Sequence, residues 1–198
     1  MLPTYPGFRW AEGRTGLDRG LVILDRDGVI NQDSSAFVKS PDEWLPLPGS
    51  IPAIAALSRA GFKVAVASTQ SGLARGLFDR RALRGMHRKL RRLVAAEGGR
   101  VARVEVCPHG PKDGCACRKP EPGLLYRLGR HFGVSLDDVP VIGDSLRDLE
   151  AAMTAGARPI LVRTGNGHKT EASLTGELAK TEVFDDLSAA AAALIREQ

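Results

Sequence analysis

Leu21-Val22-Ile23-Leu24-Asp25-Arg26-Asp27-Gly28-Val29-Ile30-Asn31 is the stretch on which the fold turns. Four apolar residues in a row fit a short strand covered on both faces, and the run stops at two carboxylates and a glycine. Carboxylates at i and i+2 of a strand end can both face the crevice beyond it before the chain turns at Gly28. Further short apolar runs at 64–67, 101–106, 139–142 and 160–162 alternate with helix-period segments at 51–58, 79–97, 121–132, 146–155 and 187–197. Gly61, Gly133 and Gly156 stand where three of those helices should end. The alternation predicts five parallel strands built from βαβ units, an α/β fold with helices on both faces of the sheet. Ligands in such sheets bind beyond the carboxyl ends of the strands, so the residues that follow each strand carry the chemistry.

The chain has 198 residues, with 28 Lys+Arg against 23 Asp+Glu, 43% hydrophobic and 26% charged. That balance excludes a disordered chain, and the length lets one α/β domain bury a core without staples. Residues 1–19, polar with scattered Gly and Pro, read as an N-terminal extension, and 20–198 as a single domain expected to be monomeric. No segment approaches the roughly 20 apolar residues of a membrane span. The opening Met1-Leu2-Pro3-Thr4-Tyr5-Pro6 has no apolar core of a secretion signal, and three cysteines cannot all pair within the chain. A reducing, cytoplasmic setting without a membrane partner is expected. The net charge of +5 leaves nucleic acid and small phosphorylated substrates open.

The other strand ends discriminate. After the second strand comes Ser68-Thr69-Gln70-Ser71-Gly72. Before the third helix lies Arg118-Lys119-Pro120, and after the fourth strand Gly143-Asp144-Ser145-Leu146-Arg147-Asp148. Singly, each has an ordinary meaning: a turn, a solvated pair, a helix cap. Together they bring two acids, a hydroxyl, a lysine and further acids to one crevice. Phosphoryl transfer through an aspartyl intermediate needs that set: a carboxylate attacks phosphorus, Mg²⁺ neutralises charge, Lys and hydroxyl hold oxygens, and a second acid moves the proton. No Gly-x-x-x-x-Gly-Lys-Ser/Thr run is present, so hydrolysis is favoured over nucleotide binding. All three cysteines fall in Cys107-x-His109-x₅-Cys115-x-Cys117, which supplies four ligands for a closed, structural tetrahedral Zn²⁺ in a loop 107–119. His87, His131 and His168 show no ligand pattern and are expected at the surface.

The order Leu24-Asp25-Arg26-Asp27-Gly28-Val29-Ile30-Asn31, Ser68, Lys119, Gly143-Asp144 resembles the haloacid dehalogenase-like phosphatases. Gln70-Ser71-Gly72-Leu73-Ala74-Arg75-Gly76 and Cys107-Pro108-His109 with Cys115-Ala116-Cys117-Arg118-Lys119-Pro120 narrow the resemblance to the branch acting on heptose 1,7-bisphosphate. The resemblance implies a three-layer Rossmann-like parallel sheet and removal of the 7-phosphate, a step toward nucleotide-activated heptose and the lipopolysaccharide core. It implies Asp25 as nucleophile, Asp27 as acid and base, and Ser68 and Lys119 as phosphoryl stabilisers. Asp25, the backbone carbonyl of Asp27 and Asp144 would hold Mg²⁺, with Asp148 supporting them. Arg26, Asp33, Ser34, Ser35, Ala36, Thr69, Gln70, Ser71, Arg75, Arg118 and Ser145 would touch the substrate. Thr69 replaces a usual Asn and Ser145 a frequent Lys, which bears on the second phosphate and the anomer. Segments 28–67 and 69–118 leave no room for a separate cap domain, so an open site is expected.

Two other readings fit parts of the chain. Histidinol-phosphate phosphatases share the metal loop but usually have Asp at the Ser71 position and lack Ala74-Arg75-Gly76. A nucleic-acid 3′-phosphatase, or a basic nucleic-acid-binding protein, rests on the cationic helix with Arg80, Arg81, Arg84, Arg88, Lys89, Arg91 and Arg92. Its apolar stripe, Leu83, Met86, Leu90, Leu93 and Val94, implies packing on the sheet with a solvated cationic face, and no aromatics interleave for base stacking. A small phosphorylated sugar is the expected partner, not nucleic acid.

Overall fold

The four consecutive buried residues of Leu21–Leu24 (β1) form a central strand, as a run without polar alternation requires. The computed structural model describes residues 20–197, and the extension at 1–19 lies outside them. After β1 come Ser50–Arg59 (α1), Lys63–Thr69 (β2), Arg80–Ala96 (α2), Arg103–Cys107 (β3), Gly123–Phe132 (α3), Pro140–Gly143 (β4) and Leu146–Thr154 (α4). Arg158–Val162 (β5), Gly167–Glu171 (α5), a 3-10 turn at Gly176–Lys180, Glu182–Phe184 (β6) and Leu187–Arg196 (α6) complete the order. The sheet runs β3-β2-β1-β4-β5-β6, and every pairing is parallel. Among the described residues all named strands join this one sheet, and segments 25–49 and 108–122 contribute no further helix or strand.

The chain leaves β1 toward β2 and returns on its other side as β4. That reversal opens a crevice at the carboxyl ends of β1 and β4. Alternation along each strand sorts the core into two clusters. Val22, Leu24, Val64 and Val66 face α1, α2 and α6, while Leu21, Ile23, Ala65 and Ala67 face α3 and α4.

Three differences from the sequence reading have physical causes. A sixth strand exists. Glu182, Val183 and Phe184 are too few and too mixed for an apolar run, but they pair with Ile160, Leu161 and Val162, and Arg158 ties Glu182 to Glu197. His87 is not at the surface: it falls inside the stripe of α2 beside Leu83, Met86 and Leu90, and burial lowers its pKa to about 4 with Arg26 and Arg91 adding to the effect. The cationic face of α2 is not wholly solvated, because Lys89 donates to the carbonyls of Pro41 (2.7 Å) and Trp44 (2.8 Å) and so holds the loop between β1 and α1.

Leu128 on α3 is fully buried in the cluster with Ala65, Ala67 and Leu124. Leu128→Ala is expected to cost about 3 kcal/mol through lost burial and the cavity left behind, read as a lower midpoint in urea with an unchanged slope.

Candidate active site

Loops after β1, β2 and β4, joined by the segment before α3, close round a cleft of about 220 Å³. Asp25, Arg26, Asp27, Asp33, Ser34 and Thr69 line it, as do Gln70, Ser71, Arg118, Lys119, Asp144 and Ser145. Ser35, Ala36 and Arg75 are not in its lining, although Arg75 reaches over the ring of Phe37, which is. Ser68 stands behind the wall, 1% exposed, with its hydroxyl accepting from Gln70 Nε2 at 2.8 Å.

The floor is an ion triad. Lys119 Nζ lies 2.8 Å from Asp25 Oδ1 and 2.6 Å from Asp148 Oδ1. β1 delivers Asp25, whose N–H continues the sheet ladder to the Ile142 carbonyl at 2.8 Å, and α4 delivers Asp148 from its first turn. Burial works against the Lys119 ammonium, but Asp148 and Asp25 outweigh it and hold its pKa above the ordinary lysine value. Burial likewise opposes the Asp148 carboxylate, yet Lys119 and Ser145 keep its pKa low. Asp25 differs. Burial pushes it up to about 8, Lys119 pulls down, and Asp148, Asp144 and Asp27 push further up.

Asp27 is held by three side chains. Arg26 Nη2 donates to both of its oxygens (2.8 and 2.9 Å), Gln70 Nε2 donates at 2.6 Å and Asn31 Nδ2 at 2.9 Å. Arg26, 1% exposed, also donates to Gln70 Oε1, so its guanidinium is spent on positioning Asp27 although the residue is part of the cleft lining. Asp144 sits opposite, its Oδ2 accepting from the backbone N–H of Asn166 (2.8 Å) and from its side chain (3.1 Å). Burial raises Asp144 to about 6, against the pull of those Asn166 bonds.

Two glycines allow this approach. A Cβ on Gly28 (φ +83) would fall 2.1 Å from Asp144 Oδ2, and one on Gly165 (φ +58) 2.2 Å from the same atom. Only glycine fits a left-handed backbone pressed against a carboxylate.

Carboxylate oxygens of Asp25, Asp144 and Asp148 lie within 4.8 Å of one another. Asp148 has both oxygens committed, one to Lys119 and one to Ser145 (2.5 Å), whereas Asp25 and Asp144 each keep one oxygen with no donor among the described residues. Buried acids with raised pKa values and unengaged oxygens fit a hard divalent cation with oxygen ligands.

A second cluster lies at the end of β3. His109 Nδ1 is 3.6 Å from Cys107 Sγ and 3.3 Å from Cys117 Sγ, and Cys115 Sγ is 3.7 Å from both other sulfurs. A tetrahedron with bonds of about 2.3 Å to sulfur and about 2.0 Å to nitrogen has edges of roughly 3.5–3.8 Å, so these atoms fit a Zn²⁺. Arg118 donates from Nη1 to the His109 carbonyl at 3.3 Å, linking this cluster to the cleft.

Asn31 and Asn166 touch Asp27 and Asp144; Asn31 closes the Leu24–Asn31 motif but has no role assigned to it there, and Asn166 carries no signal in the sequence beyond a polar residue beside a glycine. Asn166 in particular follows a strand end whose residues, Thr164-Gly165-Asn166, resemble any turn.

Both Asp25 and Asp144 bind protons more tightly in the folded chain than at the ordinary value of 3.8. Stability from those protons is present at low pH and is lost as pH rises through about 6 and then about 8. A cation at the same oxygens displaces the protons, so its affinity rises with pH. Millimolar Mg²⁺ is expected to raise Tm more at pH 8 than at pH 6, and Asp144→Asn to remove the increment. An increment independent of pH contradicts the assignment.

A family profile described as HAD-hydrolase-like matches residues 116–190. The D-glycero-beta-D-manno-heptose-1,7-bisphosphate 7-phosphatase of Pseudomonas aeruginosa is 53% identical over 180 residues, covering 91% of this chain and 100% of that protein. The enzyme of the same name from Bordetella bronchiseptica is 57% identical over 178 residues, covering 89% and 98%. The crystal structure of the B. bronchiseptica D,D-heptose 1,7-bisphosphate phosphatase complexed with magnesium and phosphate superposes with a TM-score of 0.86 at 56% identity, covering 90% of this chain and 99% of that one. The chain therefore belongs to the haloacid dehalogenase-like hydrolases, within the family of the heptose 1,7-bisphosphate 7-phosphatases.

Proposed function

We propose that this chain is a Mg²⁺-dependent phosphoric monoester hydrolase that removes the 7-phosphate of D-glycero-beta-D-manno-heptose 1,7-bisphosphate. The observation that carries the reading is Asp25, one oxygen on Lys119 at 2.8 Å and the other without a donor among the described residues, at the floor of a cleft that also holds Asp27. The names of the relatives support the substrate and its anomer.

Asp25 attacks phosphorus, the Asp25 O–P bond forms and the bond to the sugar oxygen O7 breaks. Asp27 hands its proton to O7. In the second half Asp27 takes a proton from water, whose oxygen attacks the aspartyl phosphate, and Asp25 leaves with inorganic phosphate released. Arg26, Asn31 and Gln70 all donate to Asp27 and fix the orientation of its carboxyl group at the cleft. Lys119 and Ser68 meet the phosphoryl oxygens. Asp25, Asp144 and the Asp27 carbonyl would hold Mg²⁺, which when bound neutralises phosphoryl charge. Asp33, Ser34, Thr69, Gln70, Ser71 and Arg118 line the cleft and would border the sugar, and the buried Thr69 hydroxyl has no partner among the described residues.

Residues 20–198 form the catalytic unit on this reading, a monomer in the cytoplasm acting on a small sugar phosphate and not on nucleic acid. No helix among the described residues is long and apolar enough to cross a membrane. Cys107, His109, Cys115 and Cys117 would hold Zn²⁺, which would fix the 107–119 loop that ends at Arg118 and Lys119. Elemental analysis of purified protein is expected to find one zinc per chain, and Cys117→Ser to lose it with a lowered Tm; zinc-free native protein removes this part.

Asp25→Asn is expected to abolish turnover while leaving Tm within a few degrees of the parent. A phosphate-release comparison of the heptose bisphosphate, histidinol phosphate and 3′-phosphorylated DNA, with Mg²⁺ present, tests the substrate. Preference for either of the last two overturns the assignment.

A further inference from the structure

We infer that Arg147, together with Arg118, holds the non-reacting phosphate of the bisphosphate in a hollow between the Cys/His loop and the start of α4. The inference rests on the proposed function and deepens it. A bisphosphate brings two dianions, and the floor of the cleft serves one of them. The cations near the floor are already committed: Arg26 to Asp27 and Gln70, Lys119 to Asp25 and Asp148. Ser145, at the mouth, has its hydroxyl bonded to Asp148 as a helix cap and is not free to donate elsewhere.

Beside the cleft lies a hollow of about 620 Å³ lined by Gly110, Gly114, Arg118, Lys119 and Arg147, with Glu121 its one carboxylate. Arg118, Lys119 and Arg147 line the cleft as well, so the two spaces adjoin on that side. Arg147 is exposed and has no ion pair among the described residues. It occupies the second position of α4, where the positive end of the helix dipole opposes a cation. Helix electrostatics do not favour an arginine there, and a phosphate in the hollow that it shares with Arg118 would engage both guanidinium groups. Guanidinium forks match phosphate oxygens in pairs. Arg75, the other cation near the site, is held over the Phe37 ring at 5.5 Å and does not line the cleft.

The test compares kcat/KM for heptose 1,7-bisphosphate with that for heptose 7-phosphate, which keeps the reacting group and lacks the distal one. Arg147→Ala is expected to lower the bisphosphate-to-monophosphate ratio about tenfold or more, chiefly through a higher KM for the bisphosphate, with Arg147→Lys recovering part of it. Arg75→Ala is expected to change the ratio less than twofold. A parental ratio above one that Arg147→Ala leaves unchanged, or that only Arg75→Ala lowers, overturns the role of Arg147 and leaves the proposed function standing. A parental ratio near one overturns the distal subsite as a whole. Failure of the parent to release phosphate from either sugar overturns the proposed function and this inference with it.

Discussion

A lysine ammonium buried between two aspartates is the interaction on which the rest of this structure depends. Lys119 arrives from the loop after β3, Asp25 from the end of β1 and Asp148 from the first turn of α4, so one contact joins three parts of the chain far apart in sequence. Burying these charges costs more than their attraction returns unless each is fully matched. Lys119 and Asp148 are matched, and Ser145 completes Asp148. Asp25 is left with an oxygen that no donor among the described residues satisfies, and burial first, then the nearby Asp148, Asp144 and Asp27 carboxylates, raise its pKa against the pull of Lys119. The triad therefore stabilises two of its members and leaves the third primed for a cation or an electrophile.

Around that triad the backbone does work that side chains cannot. Asp144 reaches the same crevice only because Gly28 and Gly165 present no Cβ to it from the loops after β1 and β5. Thr164 donates to the Gly28 carbonyl at 2.6 Å and Thr170 to the Asp144 carbonyl at 2.8 Å, so the loop following β5 grips both. Thr164, Gly165, Asn166 and Thr170 thus belong to the site even though none of them carries a charge.

The Cys/His cluster acts at a different level. It sits where β3 ends and spans the loop that must carry Arg118 and Lys119 back to the cleft. A loop with Pro108, Gly110, Pro111 and Gly114 is anchored by Cys107 and Cys117, which are buried in the cluster with Ala67 and Leu124, and the four ligand atoms converge at that anchor. Through the bond from Arg118 to the His109 carbonyl, the position of a surface cation depends on the geometry of that cluster.

Several features were legible in the linear chain because they depend on local pattern alone. The apolar run at Leu21–Leu24 announces a covered strand, Asp25-Arg26-Asp27-Gly28 a strand-end acid pair, and Cys107, His109, Cys115 and Cys117 a dense ligand set. The alternation of strands and helices announces a parallel sheet. Tertiary structure decided what local pattern cannot carry. It recruited Glu182–Phe184 as a sixth strand because β5 offered an open edge. It buried His87 because its neighbours on α2 set which face meets the sheet, turned the Arg26 guanidinium inward onto Asp27, and placed Asn31 against Asp27 and Asn166 against Asp144. Burial, pairing and proximity across the fold are properties of which segments meet, and only the folded chain brings those segments together.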